Sequence, residues 1–92
     1  MQQQNLAPWR LTKVVALPDY VLEVEFVDGT RGFVDMHRLI TSNKAGVFET
    51  LKNTQLFNQV HLEYGVATWP NGIDLAPDAM HHEVKENGTW FI

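Results

Sequence analysis

Cysteine is absent from the 92-residue sequence, which removes disulfide frameworks and thiolate metal sites together. A reducing compartment suits such a chain, so a cytoplasmic protein is expected. Long apolar runs are missing too. No stretch approaches the roughly 20 apolar residues that cross a bilayer, and Met1-Gln2-Gln3-Gln4-Asn5 lacks the basic and apolar parts of a secretory signal. Clustered positive charge is a third absence. Seven Lys and Arg stand against eleven Asp and Glu, the net charge is −4, and Arg10 and Lys13 are the closest cationic pair. A duplex binder needs a basic patch or stripe, so direct nucleic-acid binding by this domain alone is not expected. Phosphate loops are excluded as well, because the six glycines are scattered and form no phosphate-cradling or dinucleotide fingerprint. The single serine, Ser42, sits beside Asn43 and Lys44 with no histidine near it in sequence, which leaves nucleophilic catalysis little to work with.

What is present is a substantial apolar fraction, 45%, with ten aromatic residues, enough for one real core and too much for a disordered chain. The length fits one domain over 1–92. Leu11 to Leu17 reads as a strand carrying Val14, Val15 and Leu17, and Pro18-Asp19 turns the chain. Tyr20, Leu22, Val24 and Phe26 alternate with Val21, Glu23, Glu25 and Val27, the period of a half-buried strand. Asp28-Gly29 is a strong hairpin signal, here expected as a type I′ turn with positive φ at both positions. Thr30 to Val34 then returns as a third strand, completing an antiparallel meander. Short helical turns follow at Met36–Ile40, at Gly46–Leu51 and after Asn53 or Thr54. Val60, Leu62 and Tyr64 alternate with His61 and Glu63, and after Gly65 the run Val66–Trp69 completes a second hairpin. Pro70-Asn71-Gly72 is a turn, Pro77 suits the first turn of a helix, and that helix should run from about Asp78 to Lys85. The fold class is therefore α+β: a small antiparallel sheet, made of the N-terminal meander and a C-terminal hairpin, with short helices packed on it.

The order Asp19-Tyr20-x-Leu22, Phe26-x-Asp28-Gly29, Asp35, Phe48-x-x-Leu51, Phe57 and Trp69-Pro70-Asn71-Gly72-x-Asp74-Leu75 resembles the bacterial family named domain of unknown function 2442. The resemblance covers about residues 14–82, and the tryptophan-proline-asparagine-glycine stretch is its most specific part. It implies a small α+β fold and no established activity. Members often stand beside a small partner protein in gene pairs that look like toxin–antitoxin modules. Some also carry a helix-turn-helix domain after this one, for which this chain leaves no room. Where members often have a leucine-tyrosine pair in the last helix, this chain has Met80-His81; the leader 1–10 and tail 83–92 fall outside the pattern.

Asp28, Asp35 and Asp74 could act as paired carboxylates only if two of them converge. Their positions favour structural roles: Asp28 in a hairpin turn, Asp35 capping a helix, Asp74 bonding the amides of its own turn. Asp78 and His82 share a helical face with His81 adjacent, yet His37 and His61 lie on other elements, so no metal or cofactor is expected. Trp69 belongs to the core or its lid, the alternative being a surface that stacks on a ligand. Trp9 and the final Trp90-Phe91-Ile92 either form an exposed apolar patch or fold back over the sheet. The expected function is a non-catalytic binding or regulatory module for a small protein, in the manner of an antitoxin and its neighbouring-gene toxin. A small carboxylate- or metal-dependent hydrolase using Asp74, Asp78 and His82 is one alternative, and a homodimeric or larger homo-oligomeric scaffold is another.

Overall fold

Alternation of apolar and polar residues builds the central sheet of the computed structural model, which describes residues 7–92. In β2 (Val21–Phe26) the side chains of Leu22, Val24 and Phe26 are buried, while Val21, Glu23 and Glu25 point to the other face. This strand lies between β1 (Leu11–Leu17) and β3 (Arg31–Asp35), antiparallel to both. Three helical pieces follow: α1 (His37–Thr41), a 3-10 segment (Gly46–Lys52) and α2 (Thr54–Phe57). A separate two-stranded sheet joins β4 (His61–Glu63) to β5 (Val66–Thr68). Helix α3 (Pro77–Asn87) and a last strand, β6 (Thr89–Phe91), complete the α+β fold.

One extra residue sets the phase of β1. Leu11 pairs with Phe26 and Lys13 with Glu25, so Thr12 is a bulge, its hydroxyl donating to the Glu25 carbonyl at 3.2 Å. The bulge puts Leu11, Val14 and Ala16 on the core face. Val15 and Leu17, expected with Val14 as the strand's apolar content, point the opposite way.

The two turns of the meander exchange expected roles. At Asp28-Gly29 only Gly29 has positive φ (89°). The Gly29 amide donates to the Phe26 carbonyl at 2.9 Å and the Phe26 amide to the Thr30 carbonyl at 2.7 Å, the pattern of a three-residue loop with a glycine bulge rather than a type I′ turn. The successive positive φ values occur between β1 and β2, at Asp19 (65°) and Tyr20 (62°). A tyrosine held there costs of order 1–3 kcal/mol and needs neighbours to fix it. They are present. The Tyr20 hydroxyl donates to the Lys52 carbonyl at 2.6 Å, its ring stands edge-on to Phe57 at 5.4 Å, and its carbonyl accepts from the Met36 amide at 2.9 Å.

The helical pieces are too short to persist alone, so caps and core packing hold them. Asp35 accepts the His37 amide at 3.0 Å ahead of α1. Asn53 accepts the Gln55 and Leu56 amides at 2.9 and 3.4 Å at the start of α2. Ile40, Leu51 and Phe57 carry these pieces into the core. Trp69, 1% exposed, lies against Phe57 and donates its indole N–H to the Phe57 carbonyl at 2.9 Å. Helix α3 places Pro77 in its first turn and buries Met80 and Val84.

The tail adds what alternation does not announce. Strand β6 lies parallel to β3, pairing Phe33 with Thr89, Val34 with Trp90 and Asp35 with Phe91, so the four-stranded sheet is mixed, in the order β1-β2-β3-β6. A parallel neighbour requires a crossover connection, which the chain supplies through its helices and second hairpin. Gly32 allows the closure: a Cβ there would strike the Gly88 carbonyl and come within 2.8 Å of Val84 Cγ1. That same Gly88 carbonyl accepts the Phe33 amide at 3.0 Å. Gly32→Ala is therefore expected to destabilise the fold by about 3 kcal/mol, read from urea unfolding, because a backbone carbonyl cannot step aside. Ala substituted at the exposed Lys13 should cost less than about 0.5 kcal/mol in the same assay.

Candidate interaction surface

The phase of the strands leaves one face of the main sheet without a buried residue. Three rows cross it: Lys13, Glu25 and Arg31; Val15, Glu23, Phe33 and Thr89; Leu17, Val21, Asp35 and Phe91. Every side chain in these rows is half-buried or exposed. The apolar members are unusually open for their size, with Val15 38%, Phe33 43% and Phe91 66% exposed. Lys13 and Glu23 form an ion pair at 3.6 Å across the sheet. Both groups are well solvated, so the pair adds little to stability and serves to keep the face mixed in charge. Next to Phe91 a shallow hollow of about 540 Å³ opens between the β1–β2 turn and α1, bounded by Asp19, Asp35, His37 and Arg38.

The structure divides the terminal residues among different places. Trp90 and Ile92 are half-buried and pack against the core, while Phe91 stands out on the open face. Trp9, 37% exposed, precedes β1 at the end of the sheet where Leu11 meets Phe26, the end opposite Phe91. The termini thus do not share one patch. Of the two expectations for Trp9, Trp90, Phe91 and Ile92, folding back holds for Trp90 and Ile92 and exposure for Phe91 and Trp9, and Val15 and Phe33 join Phe91 on the open face.

The motif carboxylates are also separated. Asp28 is in the β2–β3 loop, where one oxygen accepts the Thr30 amide at 3.0 Å and the other accepts from His81 Nε2 of α3 at 2.9 Å. The His81 ring stands edge-on to Phe26, 4.9 Å between centroids. Met80 fills the core and His81 ties the helix to the hairpin, which gives this chain's Met80-His81 pair a structural purpose. Asp74 departs from expectation: among the described residues its carboxylate accepts no turn amide. Asn71 does that work, taking the Ile73 amide at 3.3 Å and donating to Thr50 Oγ1 at 3.1 Å. Asp74 shares a shallow hollow of about 390 Å³ with Glu63, Tyr64 and Pro70, Glu63 already bonded to His61 Nε2 at 2.8 Å. Asp78 accepts the amide of its own neighbour Ala79 at 2.9 Å, and His82 is exposed. Among the described residues no group of three or more His, Asp or Glu is placed to hold a metal ion. Among the same residues, no helix is long and apolar enough to cross a membrane.

A four-stranded mixed sheet, covered by helices on one side and open on the other, with a small accessory hairpin, defines the chain as a minimal α+β domain. Its residues 11–86 match the model of the family described as protein of unknown function (DUF2442), and the chain belongs to that family. Strand β6 and its Phe91 lie beyond the matched span. No curated protein and no solved structure matches the chain.

Two titrations follow from the site. The Thr30 amide, and after it the His81 hydrogen bond, lower the Asp28 pKa from 3.8 to about 2. A carboxylate depressed in the folded state stabilises above its unfolded pKa and loses that contribution as pH falls through the folded value. The stability difference between wild type and Asp28→Asn should therefore shrink as pH falls from 3.8 towards about 2, measured by urea unfolding across that range. For His61 the Glu63 hydrogen bond, then the Gln59 carbonyl, raise the pKa above 6.5. Its NMR titration midpoint should lie above 6.5 and move down in Glu63→Gln, the charge-linked stabilisation being present below 6.5 and lost as pH rises through the folded value.

Proposed function

We propose that this chain is a non-catalytic protein-binding module of the cytoplasm that pairs with a small protein encoded by a neighbouring gene, as an antitoxin pairs with its toxin. The observation that carries this reading is the open face, where Val15, Phe33 and Phe91 keep 38%, 43% and 66% of their surface in water. Large apolar side chains grouped on one uncovered face lose water on association, and aromatic residues dominate the energetics of such contacts. Lys13, Glu25 and Arg31 border these side chains at one end and Glu23 lies between Val15 and Phe33, so apolar and charged groups share the face as they do in protein interfaces. The net charge of −4 favours a basic protein partner over nucleic acid. The lack of cysteine supports the assignment to a reducing compartment.

The test is binding of the purified full chain to the product of the adjacent gene by isothermal titration calorimetry. A complex in the micromolar range or tighter is expected. Phe33→Glu combined with Phe91→Glu should weaken it at least about thirtyfold, the effect of losing a central anchor worth about 2 kcal/mol. Circular dichroism should show the double variant folded. An unchanged dissociation constant in that variant, or no complex with the wild type, overturns the reading.

A further inference from the structure

The backbone of β1 carries unspent hydrogen-bonding capacity on its outer side. The Phe26 amide donates to Thr30 and the Met36 amide donates to the Tyr20 carbonyl, so Tyr20, Leu22, Val24 and Phe26 of the second strand turn their peptide groups toward β3. The alternate residues Val21, Glu23 and Glu25 turn theirs toward β1, where their partners are Leu17, Val15 and Lys13. The N–H and C=O groups of Val14 and Ala16 must then point away from the sheet. Among the described residues neither has a backbone partner on that side. The accessory hairpin reaches the same edge only at its start, where the Leu11 amide donates to the Gly65 carbonyl at 2.9 Å.

Beyond Leu11 the edge opens onto a groove of about 470 Å³ between β1 and α2, its wall made by Tyr20, Phe57, Val60 and Asn58. Unguarded edges are normally blunted by charge or proline. The run Val14-Val15-Ala16-Leu17 has neither, and Pro18 ends it.

We propose that the outer edge of β1 at Val14 and Ala16 is a strand-addition site for an extended segment of a partner protein in which apolar and basic residues alternate. The segment would receive two N–H and two C=O hydrogen bonds, and its side chains would alternate between the groove and the open side of the sheet. Those entering the groove meet Tyr20, Phe57 and Val60 and so are apolar. Those on the other side run beside Val15, Leu17 and Lys13 of β1, the last already paired with Glu23, in a domain of net charge −4 with Asp19 at the end of the groove; the acidic balance and Asp19 favour Lys or Arg. A second copy of this chain fits poorly. It would bring the same acidic balance, and its own seven-residue β1 laid antiparallel would run its Pro18-Asp19 turn toward the hairpin at Gly65. This inference rests on the binding-module reading but uses a different surface, so the two fail separately.

The test uses the full chain and an acetylated, amidated valine–lysine hexapeptide, with the valine–glutamate hexapeptide as control, read by amide hydrogen exchange and NMR titration. Saturating valine–lysine peptide should slow exchange at Val14 and Ala16 at least about tenfold, with Val15, already bonded to β2, little changed. The valine–glutamate peptide should bind at least about tenfold more weakly, and Asp19→Asn should narrow that gap. Ala16→Pro removes one outward amide at a position where an edge strand tolerates proline, and should abolish the protection at Val14. Phe33→Glu with Phe91→Glu should leave peptide binding intact, which separates this site from the open face. Exchange at Val14 and Ala16 unaffected by millimolar valine–lysine peptide overturns the proposal. So does equal binding of the two peptides, or protection in the free protein that grows with protein concentration, the mark of a second copy.

Discussion

The close approach of Gly88 to Gly32 is the contact on which the rest of the sheet's outline depends. It lets the carbonyl that ends α3 sit directly over β3 and accept the Phe33 amide. From that point the chain has one course open to it, alongside β3 and in the same direction. The pairing then splits the last residues by parity: Trp90 and Ile92 go to the core side, Phe91 to the open side. A side chain at position 32 would lift α3 off the sheet and remove the register that exposes Phe91. Burial of Val84 and Met80 depends on the same fit, so the helical cover and the aromatic surface are set by a single missing methyl group.

A second group of ties fixes the far end of the molecule. Tyr20 takes a costly backbone conformation and is held by Lys52, Phe57 and Met36, which belong to separate stretches of chain. Trp69 reaches across from the accessory hairpin to the Phe57 carbonyl. Through these contacts the short helical pieces, none of which would persist in isolation, become a continuous layer under the sheet. The motif residues of the family mostly do this structural work, with Trp69 in the core and Asn71 bracing its turn against Thr50.

Much of the fold was legible in the sequence because β2 alternates cleanly, and because Gly, Pro, Asn and Asp mark the turns for separate physical reasons. Both hairpins, the short helices, the Asp35 carboxylate ahead of α1, a cap at Asn53 or Thr54 and the last helix could be read directly. What was hidden depended on long-range contacts or on a few degrees of backbone. Thr89–Phe91 is too short to show a period, and its partner β3 lies far away in sequence, so neither the strand nor its direction could be inferred. The positive φ at Tyr20 defied local preference because tertiary contacts overrule it. Asn71 and Asp74 are both turn formers, and only geometry could tell which of them braces the loop. The open face was half legible: the acidic side of β2 announced it, but Val15 read with Val14 as one apolar run, and nothing in Thr30 to Val34 marked which way Phe33 faces.

Thr12 also bears on how this segment can change by inheritance. As the odd residue out in β1 it separates Leu11 from Val14 and Ala16 by an irregular interval. Because Thr12 is the extra residue, deleting it would leave Leu11 opposite Phe26 and Lys13 opposite Glu25, with Leu11, Val14 and Ala16 still facing inward and the peptide groups of Val14 and Ala16 still facing outward. Loss of that one letter is therefore the change of length this strand absorbs most readily, whereas loss of a letter between Val14 and Leu17 would put the residues on one side of it out of phase with β2.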